Sequence, residues 1–194
     1  MKQDLILANI SKHILLNEEE QDYFLSLLSE KGVKKKDYIL RHGQYCRYIN
    51  FVNSGTLRAY YLNDKGKEST IMFAPKDWWV TDMYCFIKEQ PAMLNIQAIE
   101  ESAILQLSKT KLDLLYKEIP KFERFFRILM QNAYIREQLR SIQNLSHTAE
   151  ERYDKFLHKY PSILPHITQK QLASYLGITP EFLSVLRAKK GLST

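Results

Sequence analysis

Toward the C-terminal end of the 194-residue chain, Glu181, Ser184, Val185 and Ala188 recur at steps of three, one and three. On an α-helix this spacing places them on one stripe and leaves Leu183 and Leu186 to face inward. A carboxylate, a hydroxyl and small alkyl groups on an exposed stripe form a set that can read base edges. The acid accepts from a cytosine amine, and an alkyl group touches a thymine methyl. Lys170, Lys189 and Lys190 are cations suited to phosphate oxygens, Arg187 points nearer the backbone than the bases, and Gln169 and Thr179 add neutral contacts. The chemistry implied is recognition of duplex DNA in its major groove rather than bond making.

Such a stripe must be held at a fixed angle by a second helix. Thr168 followed by Gln171 is a capping box that starts a short helix carrying Leu172, Ala173 and Leu176 inward. Gly177 falls where a chain leaving a helix turns left-handed, a region that only glycine enters without a Cβ penalty. Ile178 plugs the angle between the helices. Thr179-Pro180 then supplies an N-cap and the one helical position where a missing N–H costs nothing. An ordinary αα-hairpin shares parts of this pattern. The conjunction of small Ala173, Gly177, Ile178, the new cap and the exit lysines favours a helix-turn-helix.

Composition sets the frame. Hydrophobic residues make up 45% and charged residues 26%, proportions of a globular chain long enough to bury a core. A net charge of +6 and a pI near 9.1 suit a polyanionic partner, with further basic residues between Lys31 and Arg41. The opening MKQDLILANI is interrupted by Asp4 and Asn9, so neither a signal peptide nor a membrane span is expected, and the chain reads as cytoplasmic. Two cysteines, Cys46 and Cys85, form no C-x-x-C pair and read as reduced thiols, with Cys85 in a core or pocket.

In chain order, Asn17 caps a helix with acidic Glu18 to Glu20 in its first turn and Tyr23, Phe24, Leu27 and Leu28 at helical spacing, ending near Gly32. Short segments rich in Tyr, Ile, Val, Phe and Thr follow, at about 37–41, 48–53, 56–62, 68–73, 93–99 and 103–108. Turn residues separate them too closely for parallel crossovers, which predicts an antiparallel sandwich or barrel. The aromatic stretch from Trp78 to Pro91 is the expected pocket region, with Trp78, Trp79, Asp82, Tyr84, Phe86, Ala92 and Met93 as candidate effector-lining residues. Helices are predicted over 111–119, about 121–145 and 149–160. In the long one, Phe125, Ile128, Asn132, Ile135, Leu139 and Ile142 alternate steps of three and four. That is a coiled-coil seam for a second copy, with Asn132 fixing register. Phe126, Leu129, Met130 and Ala133 form a second stripe for the barrel.

The order of β-rich domain, long helix and helix-turn-helix resembles the Crp/Fnr family of bacterial transcription regulators. The resemblance rests on Gly43 in RHGQ, Gly55 in FVNSGTLRAYY, Gly66 in NDKGKE and, most specifically, on TQKQLASYLGITPEFLSVLR. It implies an α+β protein: an N-terminal antiparallel β-roll (double-stranded β-helix) over 1–119, a dimerisation helix over 120–146, and a helix-turn-helix domain over 147–194. It also implies a homodimer on a palindromic operator, RNA polymerase as a further partner, an unknown small-molecule effector other than cyclic AMP or none at all, and neither enzymatic activity nor a membrane partner.

Departures from the family pattern bear on the effector. Members that bind cyclic AMP carry a Gly-Glu pair and an Arg-Ser pair, which fall here at Thr81-Asp82 and Ala92-Met93. Without the arginine a buried phosphate is uncompensated at a cost of several kcal/mol, so tight cyclic-nucleotide binding is not expected. An iron–sulfur cluster needs about four cysteine ligands, and no cofactor or metal is expected. Glu181 matches the family's cytosine-reading acid, while Val185 stands where many members place a guanine-reading arginine. After Lys190 little sequence remains for a β-hairpin wing. Two rivals stay open at this point. One is a cupin-like small-molecule-binding roll, which would want clustered histidines where only His42 stands. The other is a protein-interaction module whose helix-turn-helix no longer binds DNA.

Overall fold

The computed structural model describes residues 4–190. Two antiparallel four-stranded sheets face each other. One runs in the order β1 (Ser29–Val33), β8 (Ser102–Ser108), β3 (Tyr48–Ser54), β6 (Trp79–Val80). The other runs β2 (Tyr38–Leu40), β7 (Leu94–Ala98), β4 (Thr56–Leu62), β5 (Glu68–Pro75). Val52, Leu57, Ala59, Ile96, Ala98 and Ile104 fill the space between them. Six strands follow the alternating β-branched and aromatic segments of the sequence. The tight β3–β4 turn depends on Gly55, whose φ is +79° and where an added Cβ would lie 2.3 Å from Ser102 Oγ and 2.5 Å from the Glu101 carbonyl.

Helices α1 (Asp4–Ser11) and α2 (Glu18–Ser26), α4 (Lys109–Glu118) and the start of α5 (Lys121–Ser146) pack against the first sheet. Asn17 and Glu20 make the capping box expected of α2. Phe24 stacks on Phe122 at 4.8 Å between ring centroids. Phe125, expected in the intersubunit seam, is instead wholly buried against Phe122, Phe126 and Trp79. The first turns of α5 therefore belong to the roll core, and beyond Leu129 the helix keeps one side on the roll through Arg136 and Arg140.

Other differences from expectation are local. The helix foreseen up to Gly32 stops at Ser26, and residues 29–33 form an edge strand paired with β8. The stretch from Trp78 to Pro91 contains the short β6 and a helix, α3 (Met83–Lys88), capped by Asp82. Past α5 come α6 (Ala149–Lys159), a 3-10 turn at Leu164–His166, α7 (Gln169–Leu176) and α8 (Pro180–Lys189). Their core of Tyr153, Phe156, Tyr160, Leu172, Leu176 and Leu183 extends onto Phe73 of β5. Phe73 meets Phe156 edge-on at 5.9 Å and Tyr175 at 5.5 Å. The C-terminal helices are thereby packed on the roll.

Candidate nucleic-acid interface

The turn between α7 and α8 is built as its residues dictate. Thr168 and Gln171 close the capping box of α7, and Gly177 ends that helix in the left-handed region at φ +70°. Thr179 Oγ1 accepts the Phe182 N–H at 3.2 Å, with Pro180 at the first position of α8. Leu183 and Leu186 are buried, so Glu181, Ser184, Val185 and Ala188 are turned to solvent. Val185 is 52% exposed and Phe182, beside it, 46%.

The polar residues singled out from sequence take distinct roles. Gln169 Nε2 donates to the Pro180 carbonyl at 2.9 Å and to Ser184 Oγ, tying the start of α7 to the start of α8. Glu181 has its carboxyl held below the usual carboxylate range by its own backbone N–H and then by the Thr179 hydroxyl, so it stands ionised at the positive end of α8. Lys170 and Lys189 are exposed. Lys190, expected on phosphate, instead bonds both oxygens of Asp154 at 2.6 and 2.7 Å and lies 3.4 Å from Glu150. Arg187 is half-buried beside Tyr153, Leu157 and Leu172, with its Nε unpaired, so it faces the body of the domain more than the α8 stripe.

Along the free part of α5, Ile135 (52% exposed), Leu139 (53%), Ile142 (50%) and Leu145 (90%) form an apolar ridge in contact with water. Ile128 is half-buried and Asn132 exposed on the same side. Covering such a ridge is worth roughly 1.5–3 kcal/mol per fully buried side chain. Among the described residues no group of three or more His, Cys, Asp or Glu is placed to hold a metal ion, and no helix is long and apolar enough to cross a membrane.

The cyclic nucleotide-binding domain family matches residues 30–118. The Fumarate and nitrate reduction regulatory protein of Vibrio cholerae is 24% identical over 196 residues, covering 95% of this chain and 78% of that protein. The c-di-GMP responsive global regulator CLP of Xanthomonas campestris superposes with a TM-score of 0.74 at 13% identity, covering 90% of this chain and 92% of that one. A Eubacterium rectale chain assigned to the crp/fnr family superposes at 0.73 with 20% identity, covering 91% and 84%. Over nearly its whole length the chain is similar to regulators of the Crp/Fnr type.

In this chain the effector-lining candidates do not gather into one cavity. Asp82 is buried, and its carboxylate accepts the N–H groups of Cys85 at 3.1 Å, Met93 at 2.8 Å and Leu94 at 2.9 Å. The two positions aligned with the family's nucleotide-holding pairs thus meet, but the acid bonds the chain itself. Ala92 and Phe86 are core residues, whereas Tyr84 and Met93 are half exposed on the outside. Trp79 lies in the α1–α5 core, its Nε1 donating to Asn9 Oδ1 at 3.0 Å. Only Trp78 of the seven lines the deep cleft, which lies between α5, β5 and the C-terminal helices. Sequence reasoning could not foresee that cleft, because its walls come from four separate segments.

Proposed function

We propose that this protein is a homodimeric, sequence-specific DNA-binding transcription regulator that reads the major groove with α8. The observation that carries this reading is the exposed stripe of Glu181, Ser184 and Val185, backed by buried Leu183 and Leu186 and flanked by Lys170 and Lys189. Ser184 and Gln169 support one another across the turn, so the stripe is held before DNA arrives, which lowers the ordering cost of docking. The solvent-facing ridge of α5 supports pairing with a second copy. Two α8 helices would then address half-sites about one helical turn apart. In this division of labour residues 1–119 sense, 120–146 pair and 147–194 read DNA, with RNA polymerase contacted by the bound dimer.

Selection of bound duplexes from a random pool, followed by mobility-shift titration at several salt concentrations, tests this. The expected outcome is an enriched two-fold symmetric sequence bound far more tightly than random duplex, with affinity falling steeply as salt rises. Failure to enrich any sequence, together with salt-independent binding, would overturn it.

A further inference from the structure

The cleft between the roll and the reading head has a volume of about 450 Å³, in the range that encloses a drug-sized molecule. Its charge is one-sided. Arg136 and Arg140 of α5 and Arg152, Lys155 and Lys159 of α6 line it, against a single acid, Glu137. Glu137 offsets them only in part. Arg140 donates to the carbonyls of Ile71, Thr70 and Tyr175, and Arg152 to those of Leu176 and His147. Arg136 lies 5.0 Å over the Trp78 ring, and its buried Nε makes no hydrogen bond, the nearest Glu137 oxygen being 3.6 Å away. Burial, and then the nearby Arg136, push the ammonium of Lys159 below its ordinary range. Glu137 acts in the opposite sense without cancelling them.

Aromatic side chains share the lining with these cations. Trp78 and Tyr160 are 6.1 Å apart, and Tyr160 and Tyr175 meet edge-on at 6.2 Å. Met72 of β5 adds a further apolar surface.

We propose that this cleft is a binding site for a small organic anion, a phosphate or carboxylate joined to a planar ring. Its acid group would meet Arg136 and Lys159 and its ring would lie along Trp78 and Tyr160. The site is separate from the loop at Asp82. Because β5, α5, α6 and α7 all contribute, an occupant would fix the reading head against the roll. That consequence for DNA rests on the function proposed above, whereas ligand binding does not.

The test is calorimetric titration of the full-length protein, without DNA, with adenosine 5′-monophosphate, salicylate, inorganic phosphate and adenosine. The expected result is saturable binding of the monophosphate or of salicylate, at least about tenfold tighter than phosphate alone or neutral adenosine. Which anion binds distinguishes a phosphate from a carboxylate head group. Arg136→Gln and Lys159→Gln should each weaken binding about tenfold or more, while Arg127→Gln, whose guanidinium bonds Gln131 instead, should leave it unchanged. Circular dichroism of each variant establishes that it is folded. Binding of neither anion below about 1 mM, or equal binding by the folded Arg136 and Lys159 variants, would overturn the proposal.

Discussion

Ser174 on α7 is bonded to Thr70 on β5: its Oγ accepts the Thr70 N–H at 2.8 Å, and its hydroxyl donates to the neighbouring Glu68 carbonyl at 2.8 Å. β5 is one of the two edges of its sheet, and such an edge exposes N–H and C=O groups that want partners. One serine on the reading head meets both needs. Arg58, buried in β4, holds the same hairpin by donating to Thr70 Oγ1 at 2.9 Å and to Glu68 Oε2 at 2.7 Å.

Ser174→Ala should therefore cost about 1–3 kcal/mol, through a lost hydrogen bond and an edge group left unpaired. For a chain of this size that is a melting-temperature fall of roughly 2–4 °C per kcal/mol, read by calorimetry. No change in melting temperature would show that the contact is incidental.

Lys189 and Lys190 are adjacent but differ in their surroundings. Lys189 is exposed, whereas Lys190 is engaged by Asp154 and Glu150. Lys189→Ala should weaken binding to every duplex and reduce the salt slope by about 0.9, and Lys190→Ala should change that slope less. Glu181→Ala should instead relax preference at one base pair, by about 1–3 kcal/mol, in a competition mobility shift. Equal slopes for all three variants and the parent would contradict these assignments.

The ridge of α5 carries the pairing claim. Ile142→Glu places a charge amid Leu139 and Leu145 without touching the roll core, so the protein should stay folded and turn monomeric in light scattering at micromolar concentration. A dimer that persists would place the interface elsewhere.

Asp82 bears on the effector. Its carboxylate already accepts three backbone N–H groups, and the Arg-Ser positions hold Ala92 and Met93. With the cleft's cations removed in the double variant Arg136→Gln, Lys159→Gln, titration with cyclic AMP should give no saturable heat, because the Asp82 loop offers no phosphate anchor. Asp82→Ala should destabilise the protein by several kcal/mol, since three donors lose their acceptor.

Most of this architecture was legible in the residues because local chemistry and global fold agree. The Thr168–Gln171 box, Gly177 and Thr179-Pro180 fix the helix-turn-helix by themselves, and turn residues such as those around Gly55 punctuate the strands. What escaped notice lacks a periodic signal. β1 shows four of its five residues to solvent and exists because β8 pairs with it, and β6 is two residues long. Trp79 and Phe125 carried aromatic and heptad patterns that fit a pocket and a seam, yet burial against Phe51, Phe122 and Phe126 claimed both. The cleft around Arg136 depends on tertiary contacts alone.

The claim on which the rest depends is that two chains present two α8 helices to one duplex. Mass measurement of the complex formed on a selected symmetric site tests it most directly. The account predicts two chains per duplex, with affinity collapsing when the half-sites are moved half a helical turn, about 5 base pairs, out of phase. One chain per duplex, or indifference to that spacing, would contradict it.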